Sequence, residues 1–291
     1  MRITTYTKDQ QRYVGVVSDD ALTVQALLDI PPGTTEHGVL GLIQAFADPA
    51  RLATVNRAAA VPLESVKLLA PVPRPRRNIF CVGRNYHAHA KELSGSVFKA
   101  NNADPAAWPI VFTKVPETVI AHGEDVILPA GITEQIDYEA ELAIVIGKGG
   151  KNISKADAMS HVWGYTIVND VTARDVQMRH QQWDLGKSFD TFCPMGPWLI
   201  TADAFDATNT RVRCWVNDEL RQDGQTRDLI FDLPTLIETC SRGISLYPGD
   251  IIATGTPAGV GMGFNPPRYL KSGDRVRIQI DGIGTLENTF R

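Results

Sequence analysis

From Asn78 onward the sequence is dominated by short apolar segments with the length and alternation of β-strands. Helical patterning is limited there to NYHAHAKEL, KADAMSHV, TARDVQMRHQQW and DLPTLIETCSR. Many strands and few helices predict a mainly β, α+β fold, a β-roll or sandwich with short helices at its rim. The 24 glycines and 18 prolines favour the same fold, because many of them are clustered as turn residues. The strand-like segments are NIFCVG, IVFTKV, AELAIVIG, GYTIVND, GPWLIT, RVRCWVN, GDIIATG and DRVRIQI.

The first seventy or so residues have the pattern of a separate small unit. RITTYTKDQQRYVGVVS alternates like a β-hairpin, and a helical segment that Pro49 interrupts follows it. LLAPVPRPRRN, with three prolines and three arginines, is interpreted as an extended boundary segment, and an anion site at its arginines is the less favoured alternative. We therefore predict a small N-terminal α+β domain over residues 1–72 and a larger domain over residues 73–291.

Composition excludes several classes of function. The net charge of −4 gives no electrostatic footprint for nucleic acid or an anionic membrane, so neither is predicted as a partner. No apolar run approaches the roughly 18 residues of a membrane helix, and the start, MRITTYTKDQQRY, is too polar for a signal peptide. The four cysteines lie far apart with no CxxC pair, which argues against a disulfide framework or a zinc site. We expect a cytoplasmic protein.

The segment IDYEAELAIVIG contains the first candidate for chemistry. If it is a strand, Asp137, Glu139 and Glu141 share one face, where they repel one another unless they are solvated or bound to a cation. The alternative is an edge strand whose acidic residues point outward and oppose aggregation. This segment alone does not separate the two hypotheses.

Asp170 favours the cation. It ends the strand-like GYTIVND, 29 residues after Glu141, and that interval holds a turn, a short helix and a strand that could pair beside the first. Two glutamates and an aspartate form a hard, all-oxygen site that suits Mg²⁺ or Mn²⁺. Calcium is possible but prefers more protein ligands, and zinc is disfavoured because no histidine or cysteine is near in sequence.

Three further segments could contribute to a site. In a helical GRNYHAHAKEL, His89 and Glu92 lie at i,i+3, a pairing that can activate water, although a surface ion pair is favoured when this segment is taken alone. Lys187 in GKSFDTFCPMGPWLI could stabilise an enolate or a carboxylate. The glycine-rich end of GDIIATGTPAGVG could cradle a carboxylate with its N–H groups, or form a simple turn, but it is not a phosphate-binding loop.

The order of these motifs resembles the fumarylacetoacetate hydrolase family. GRNYHAHAKEL, IDYEAELAIVIG, GYTIVNDVTARDVQ, GKSFDTFCPMGPW, LRQDGQT and PGDIIATGTPAGVG follow one another from about Asn78 to the C-terminus. The resemblance implies a mixed β-sandwich roll, usually in homodimers, that binds Mg²⁺ or Mn²⁺ and acts on 2-oxo acids. The first seventy residues resemble the variable N-terminal domain of the family's longer members.

The resemblance also implies roles for individual residues. The metal carboxylates match Glu139, Glu141 and Asp170, the water-activating pair on a lid helix matches His89 and Glu92, and the family lysine matches Lys187. Asp137 matches a position outside the ligand set. We further expect the segment from about Tyr86 to Trp108 to be a lid that is mobile without ligand. The positions expected to line or support the substrate pocket are Arg84, Tyr86, Arg174, Gln177, Gln222, Gly255 and Thr256.

The leading hypothesis is a metal-dependent hydrolase that cleaves the C–C bond of acylpyruvates or related 2,4-dioxo acids. His89, oriented by Glu92, would activate the attacking water, and Lys187 would stabilise the pyruvate enolate that leaves. The alternative is decarboxylation or keto–enol isomerisation of a 2-oxo diacid such as oxaloacetate, which needs the same enolate stabilisation without an attacking water. A non-catalytic binding protein of the same fold is a third hypothesis, and it predicts a damaged triad or dyad.

Overall fold

The computed structural model describes residues 1–92, 107–179 and 182–291. The helices there are short: α1 (Val39–Ala45), α2 (His87–Glu92), α3 (Arg174–Arg179), α4 (Asp184–Lys187) and α5 (Leu233–Ser241). The strands are β1 (Arg2–Lys8), β2 (Gln11–Val17), β3 (Thr23–Ala26), β4 (Val61–Pro62), β5 (Lys67–Leu69), β6 (Ile79–Gly83), β7 (Ile110–Lys114), β8 (Val119–Ile120), β9 (Ile136–Asp137), β10 (Ala140–Ile146), β11 (Val162–Asn169), β12 (Thr172–Ala173), β13 (Cys193–Thr201), β14 (Arg211–Val216), β15 (Glu219–Gln225), β16 (Ile251–Ala253), β17 (Arg275–Ile280) and β18 (Gly284–Thr289).

Most of these strands form one large mixed sheet. Its main path runs β4-β3-β2-β1-β13-β11-β10-β16-β6-β7, with β5 beside β1 and β8 beside β13. The β16–β6 and β13–β8 pairs are parallel, whereas the other pairs of this sheet are antiparallel. The prediction of a mainly β fold with a mixed sheet and few short helices is confirmed.

A second, four-stranded antiparallel sheet has the order β15-β14-β17-β18. Strands β14 and β17 alternate between buried and more exposed residues, as expected for strands with one face toward a core. Their buried side chains, such as Cys214 and Ile278, belong to the same apolar cluster as Leu142 and Ile144 of β10. The burial of each Leu or Ile side chain in this cluster stabilises the fold by about 1.5–3 kcal/mol.

Strand β10 lies in the interior of the large sheet, between β11 and β16. All seven of its residues are buried, and its two faces contribute to two different apolar clusters, Leu142 to one and Ala143 to the other. The edge-strand alternative for this acidic segment is therefore wrong. The acidic stretch is also not one continuous strand, because Asp137 ends β9, which pairs with β12, and β10 begins only at Ala140.

The N-terminal segment extends the large sheet. The predicted hairpin is β1 and β2, which pair along their whole length around Asp9 and Gln10. Strand β1 also pairs with β13 through Arg2 and Ile3, so backbone pairing links the first residues to a strand far along the chain. The division into domains at residue 72 stays a prediction. Within the three described ranges, no helix has the length and apolar character needed to cross a membrane.

Candidate active site

Three carboxylates meet where β10 begins and β11 ends. Because the two strands are antiparallel neighbours with Ala140 opposite Asn169, Glu139 just before β10 lies beside Asp170 just after β11. The Asp170 N–H donates to Glu139 O at 2.9 Å, and the Glu139 N–H donates to Asn169 Oδ1 at 3.0 Å. Glu141 is the second residue of β10. One oxygen from each of Glu139, Glu141 and Asp170 lies within 4.8 Å of the others.

The electrostatics of this triad favour a bound cation. All three side chains are buried, and Asp170 is fully inaccessible. Burial and the neighbouring carboxylates of Asp170 and Glu139 raise the pKa of Glu141 well above its usual range. Burial and all-oxygen donors fit a hard divalent cation such as Mg²⁺ or Mn²⁺.

Two buried cations already contact the triad. The Lys187 ammonium donates to Glu139 Oε2 at 2.7 Å and to Asp170 Oδ2 at 2.8 Å. Arg174 forms an ion pair with Glu139 Oε1 at 2.7 Å and donates from Nε to Asp137 Oδ2 at 2.8 Å. Although burial opposes it, Lys187 and Arg174 hold the pKa of Glu139 well below its usual range. Asp137 anchors Arg174 rather than joining the triad.

Lys114 is a third cation, which our sequence analysis did not identify. It is the last residue of β7, is almost fully buried, and lies 2.7 Å from Asp170 Oδ1 as an ion pair. In the sequence it is one lysine at the end of an apolar strand, a position where lysine usually extends to solvent. The contact between Lys114 and Asp170 follows only from the tertiary structure, which places the end of β7 beside Asp170.

On α2 the buried His89 pairs with the partly buried Glu92. His89 Nδ1 lies 3.1 Å from Glu92 Oε2, and His89 is only 3% exposed, so the alternative of a surface ion pair is wrong. The Gly259 N–H donates to Glu92 Oε1 at 3.0 Å, which fixes the carboxylate from its other side. His89 lines the same cavity as Glu139, Glu141 and Lys187.

The other predicted positions divide into two groups. Arg84, Arg174, Gln177 and Thr256 line this cavity, together with the aromatic rings of Phe112 and Trp183. These two rings meet edge to face with centroids 5.3 Å apart, and our sequence analysis missed both.

The second group, which consists of Gln222, Gly255 and Tyr86, does not line the cavity. Gln222 is fully buried, and its Nε2 donates to Thr256 Oγ1 at 2.7 Å. The Gly255 N–H donates to Glu141 Oε2 at 2.8 Å, so this glycine orients a carboxylate of the protein. Tyr86 is buried outside the cavity lining. The predicted lid falls largely on residues 93–106, outside the described residues, so its mobility stays a prediction.

A larger groove lies away from these residues. It has a volume of about 1110 Å³ and runs between residues 62–68 and residues 120–125, with Leu22 and His122 among its lining residues. None of the predicted site residues lines it. We therefore place the candidate active site in the small cavity at the triad, where the ionisable groups converge.

The chain is similar to several known proteins. It is 54% identical over 227 residues to "Oxaloacetate tautomerase YisK" of Bacillus subtilis (strain 168), an alignment that covers 78% of this chain and 73% of that protein. A solved fumarylacetoacetate hydrolase from the psychrophilic Exiguobacterium antarcticum matches with a TM-score of 0.83 and 38% identity, covering 100% of this chain and 99% of that one.

A second solved structure is a maleylpyruvate hydrolase from Sphingobium sp. SYK-6, in complex with manganese(II) ion and pyruvate. It matches with a TM-score of 0.76 and 33% identity, covering 100% of this chain and 98% of that one. The family model "Fumarylacetoacetate (FAA) hydrolase C-terminal" matches residues 78–291, the part of the chain that contains the triad and the dyad. On this match and these identities, the chain belongs to the fumarylacetoacetate hydrolase family.

Proposed function

We propose that this chain is a divalent-metal-dependent oxaloacetate tautomerase, which interconverts the keto and enol forms of that 2-oxo diacid. The observation that carries the proposal is the pair of buried His89 and Glu92 at a cavity lined by Glu139 and Glu141 of the triad, in a chain 54% identical to an oxaloacetate tautomerase. Tautomerisation makes and breaks no bond between heavy atoms: one proton leaves C3 and one joins the oxygen on C2. The reaction therefore needs proton transfer and stabilisation of an enolate, without an attacking water.

The triad and Lys187 would stabilise the negative charge that develops on the enolate. Glu139, Glu141 and Asp170 would hold Mg²⁺ or Mn²⁺, which when bound supplies a Lewis acid for a 2-oxo carboxylate. The Lys187 ammonium lines the cavity and contacts two of these carboxylates. It is therefore placed to donate a hydrogen bond to the substrate oxygen that gains charge.

His89 would move the C3 proton. Its Nδ1 is engaged by Glu92, which leaves Nε2 as the atom that exchanges the proton. Glu92 keeps the ring in one orientation and stabilises the imidazolium that forms when Nε2 accepts the proton. An intact triad and an intact dyad do not support the third hypothesis, the non-catalytic binding protein.

Hydrolysis of an acylpyruvate remains the second candidate function. The likeness to the maleylpyruvate hydrolase structure supports it, since the same dyad could activate a water instead of a C–H bond. Metal-assisted decarboxylation of oxaloacetate would use the triad alone. The homodimer implied by the family resemblance also stays a prediction.

One set of assays separates these chemistries. The full chain, loaded with Mg²⁺ or Mn²⁺, is given oxaloacetate and, in a separate assay, acylpyruvates, and the ultraviolet absorbance of the enol, the release of CO₂ and the formation of pyruvate are followed separately. Faster keto–enol equilibration than the same metal gives without protein, with no added CO₂, supports the tautomerase. If the chain releases pyruvate from acylpyruvates and does not speed this equilibration, the proposal of a tautomerase is replaced by that of a hydrolase. If it releases CO₂ and pyruvate from oxaloacetate, the proposal is replaced by that of a decarboxylase.

A further inference from the structure

We propose that Lys114 is a positioning residue that leaves Asp170 a single oxygen for the metal, and that this restriction makes the site select Mg²⁺ and Mn²⁺ over Ca²⁺. The inference rests on the metal site of the proposed function. It assigns a role to a buried lysine that lies outside the carboxylate and dyad motifs.

The Lys114 ammonium is held in place independently of the Asp170 side chain. It donates to Val171 O at 3.0 Å and to the backbone oxygen of Lys187, and it lies 2.7 Å from Asp170 Oδ1. Its two hydrogen bonds go to these backbone oxygens, and its contact with Asp170 Oδ1 is an ion pair. Because the lysine is 1% exposed and anchored by two backbone carbonyls, it keeps Oδ1 occupied.

The other two carboxylates are restricted in the same way. Glu139 Oε1 is paired with Arg174, which is itself anchored by Asp137. Glu141 Oε2 accepts the backbone N–H of Gly255 at 2.8 Å. Each member of the triad therefore has one oxygen held by a group that is fixed elsewhere in the fold.

Lys187 contacts the oxygens that these groups leave on Glu139 and Asp170. It contacts the second oxygen of Glu139 and of Asp170, at 2.7 and 2.8 Å, and it lines the cavity. Lys187 lines the cavity, as Arg174 does, whereas Lys114 is not among its lining residues. On this proposal the oxygens left for the metal are Oε2 of Glu139, Oε1 of Glu141 and Oδ2 of Asp170, and the first and last of these contact Lys187.

Single-oxygen ligands discriminate between cations. Mg²⁺ requires a near-octahedral shell, to which each carboxylate gives one oxygen and water or substrate gives the rest. Ca²⁺ takes more oxygen ligands and commonly binds carboxylates through both oxygens. A triad in which one oxygen of each carboxylate is held by a fixed group disfavours Ca²⁺, and release of Asp170 Oδ1 would relieve part of that penalty.

The test is the Lys114→Met variant, which keeps a long side chain and removes the ammonium. Mg²⁺, Mn²⁺ and Ca²⁺ are titrated separately into the metal-free full chain by calorimetry, with Lys155→Met as the matched control, because Lys155 is a surface lysine paired with Asp232. Loss of one positive charge strengthens binding of all three ions, so the informative quantity is the Ca²⁺-to-Mn²⁺ affinity ratio. We expect this ratio to rise by about tenfold in Lys114→Met, the order by which changes next to metal ligands alter metal affinity, and not to rise in the control. An unchanged ratio overturns the proposal.

A second measurement keeps the proposal testable if the variant fails to fold. In a crystal structure of the wild-type chain with Mn²⁺, Asp170 should bind through one oxygen while Lys114 stays on the other. Binding through both oxygens, or a displaced Lys114, would overturn the inference. Neither measurement uses oxaloacetate, so a chain that selects Mn²⁺ through Lys114 but lacks tautomerase activity would refute the proposed function alone.

Discussion

Gly263 lies directly against Glu92: a Cβ at position 263 would be 2.7 Å from Glu92 Cγ and closer still to the carboxylate. The Gly259 N–H holds the same carboxylate through Oε1. The loop after β16 therefore fixes the residue that orients His89. A glycine at 263 is required by this close approach and not by backbone conformation, since its φ is not positive.

Gly263→Ala should impair catalysis by displacing the dyad. We expect the tautomerisation rate to fall, by up to the loss of about 10²–10⁴-fold that removal of a general acid–base group causes. Mn²⁺ affinity should be unchanged, because the triad does not contact Gly263. In a His89→Ala background the same substitution should have little further effect, and a full additional loss would refute the coupling.

His89→Ala should slow proton transfer and leave the metal site intact. The expected loss in tautomerisation is again about 10²–10⁴-fold, with little change in substrate affinity, since the triad and Lys187 remain. Metal-assisted decarboxylation of oxaloacetate should fall much less, because it needs only an electron sink. Stopped-flow absorbance and CO₂ release on one preparation measure both rates, and an equal fall in both would assign His89 to a common step.

Removal of metal should abolish activity while the fold survives, because both apolar clusters are built without the triad. Treatment with EDTA should lower the melting temperature without loss of the β-sheet circular dichroism. Unfolding of the chain by EDTA would instead make the metal structural.

Glu141→Gln should change how the stability of the metal-free protein depends on pH. Burial and the carboxylates of Asp170 and Glu139 raise the pKa of Glu141 in the folded chain, so the unfolded chain loses this proton first as pH rises. The wild-type free energy of unfolding should therefore fall with rising pH between the ordinary glutamate pKa and the raised one, by at most about 1.4 kcal/mol per pH unit. The glutamine variant should lack this fall and show no stabilisation by Mn²⁺. Identical pH profiles in urea denaturation would contradict the prediction.

The four cysteines should be unreactive in the folded chain. All are free and buried, and burial raises the pKa of Cys193 and that of Cys240 to about 12. Because the thiolate is the nucleophile, alkylation by iodoacetamide near neutral pH should be slow until the chain unfolds. Mass spectrometry over time checks this, and one rapidly modified cysteine would disprove it.

The sequence alone was enough to predict the mainly β fold and the identity of the triad. Strand alternation and turn residues are local signals, and side chains such as Glu139 and Glu141 are marked by their type and spacing. The hairpin of β1 and β2 and the helix broken at Pro49 are predicted by the same local patterns, and both are present.

The tertiary structure decided what each of these residues contacts. Whether the acidic segment was an edge or an interior strand depended on β11 and β16, which pair with it from distant parts of the chain. The burial of His89 and the contact of Lys114 with Asp170 likewise depend on which strands and loops become neighbours. Periodicity along one segment specifies which face a side chain occupies but not the segment that will cover that face, so these contacts were set only when the sheet was assembled.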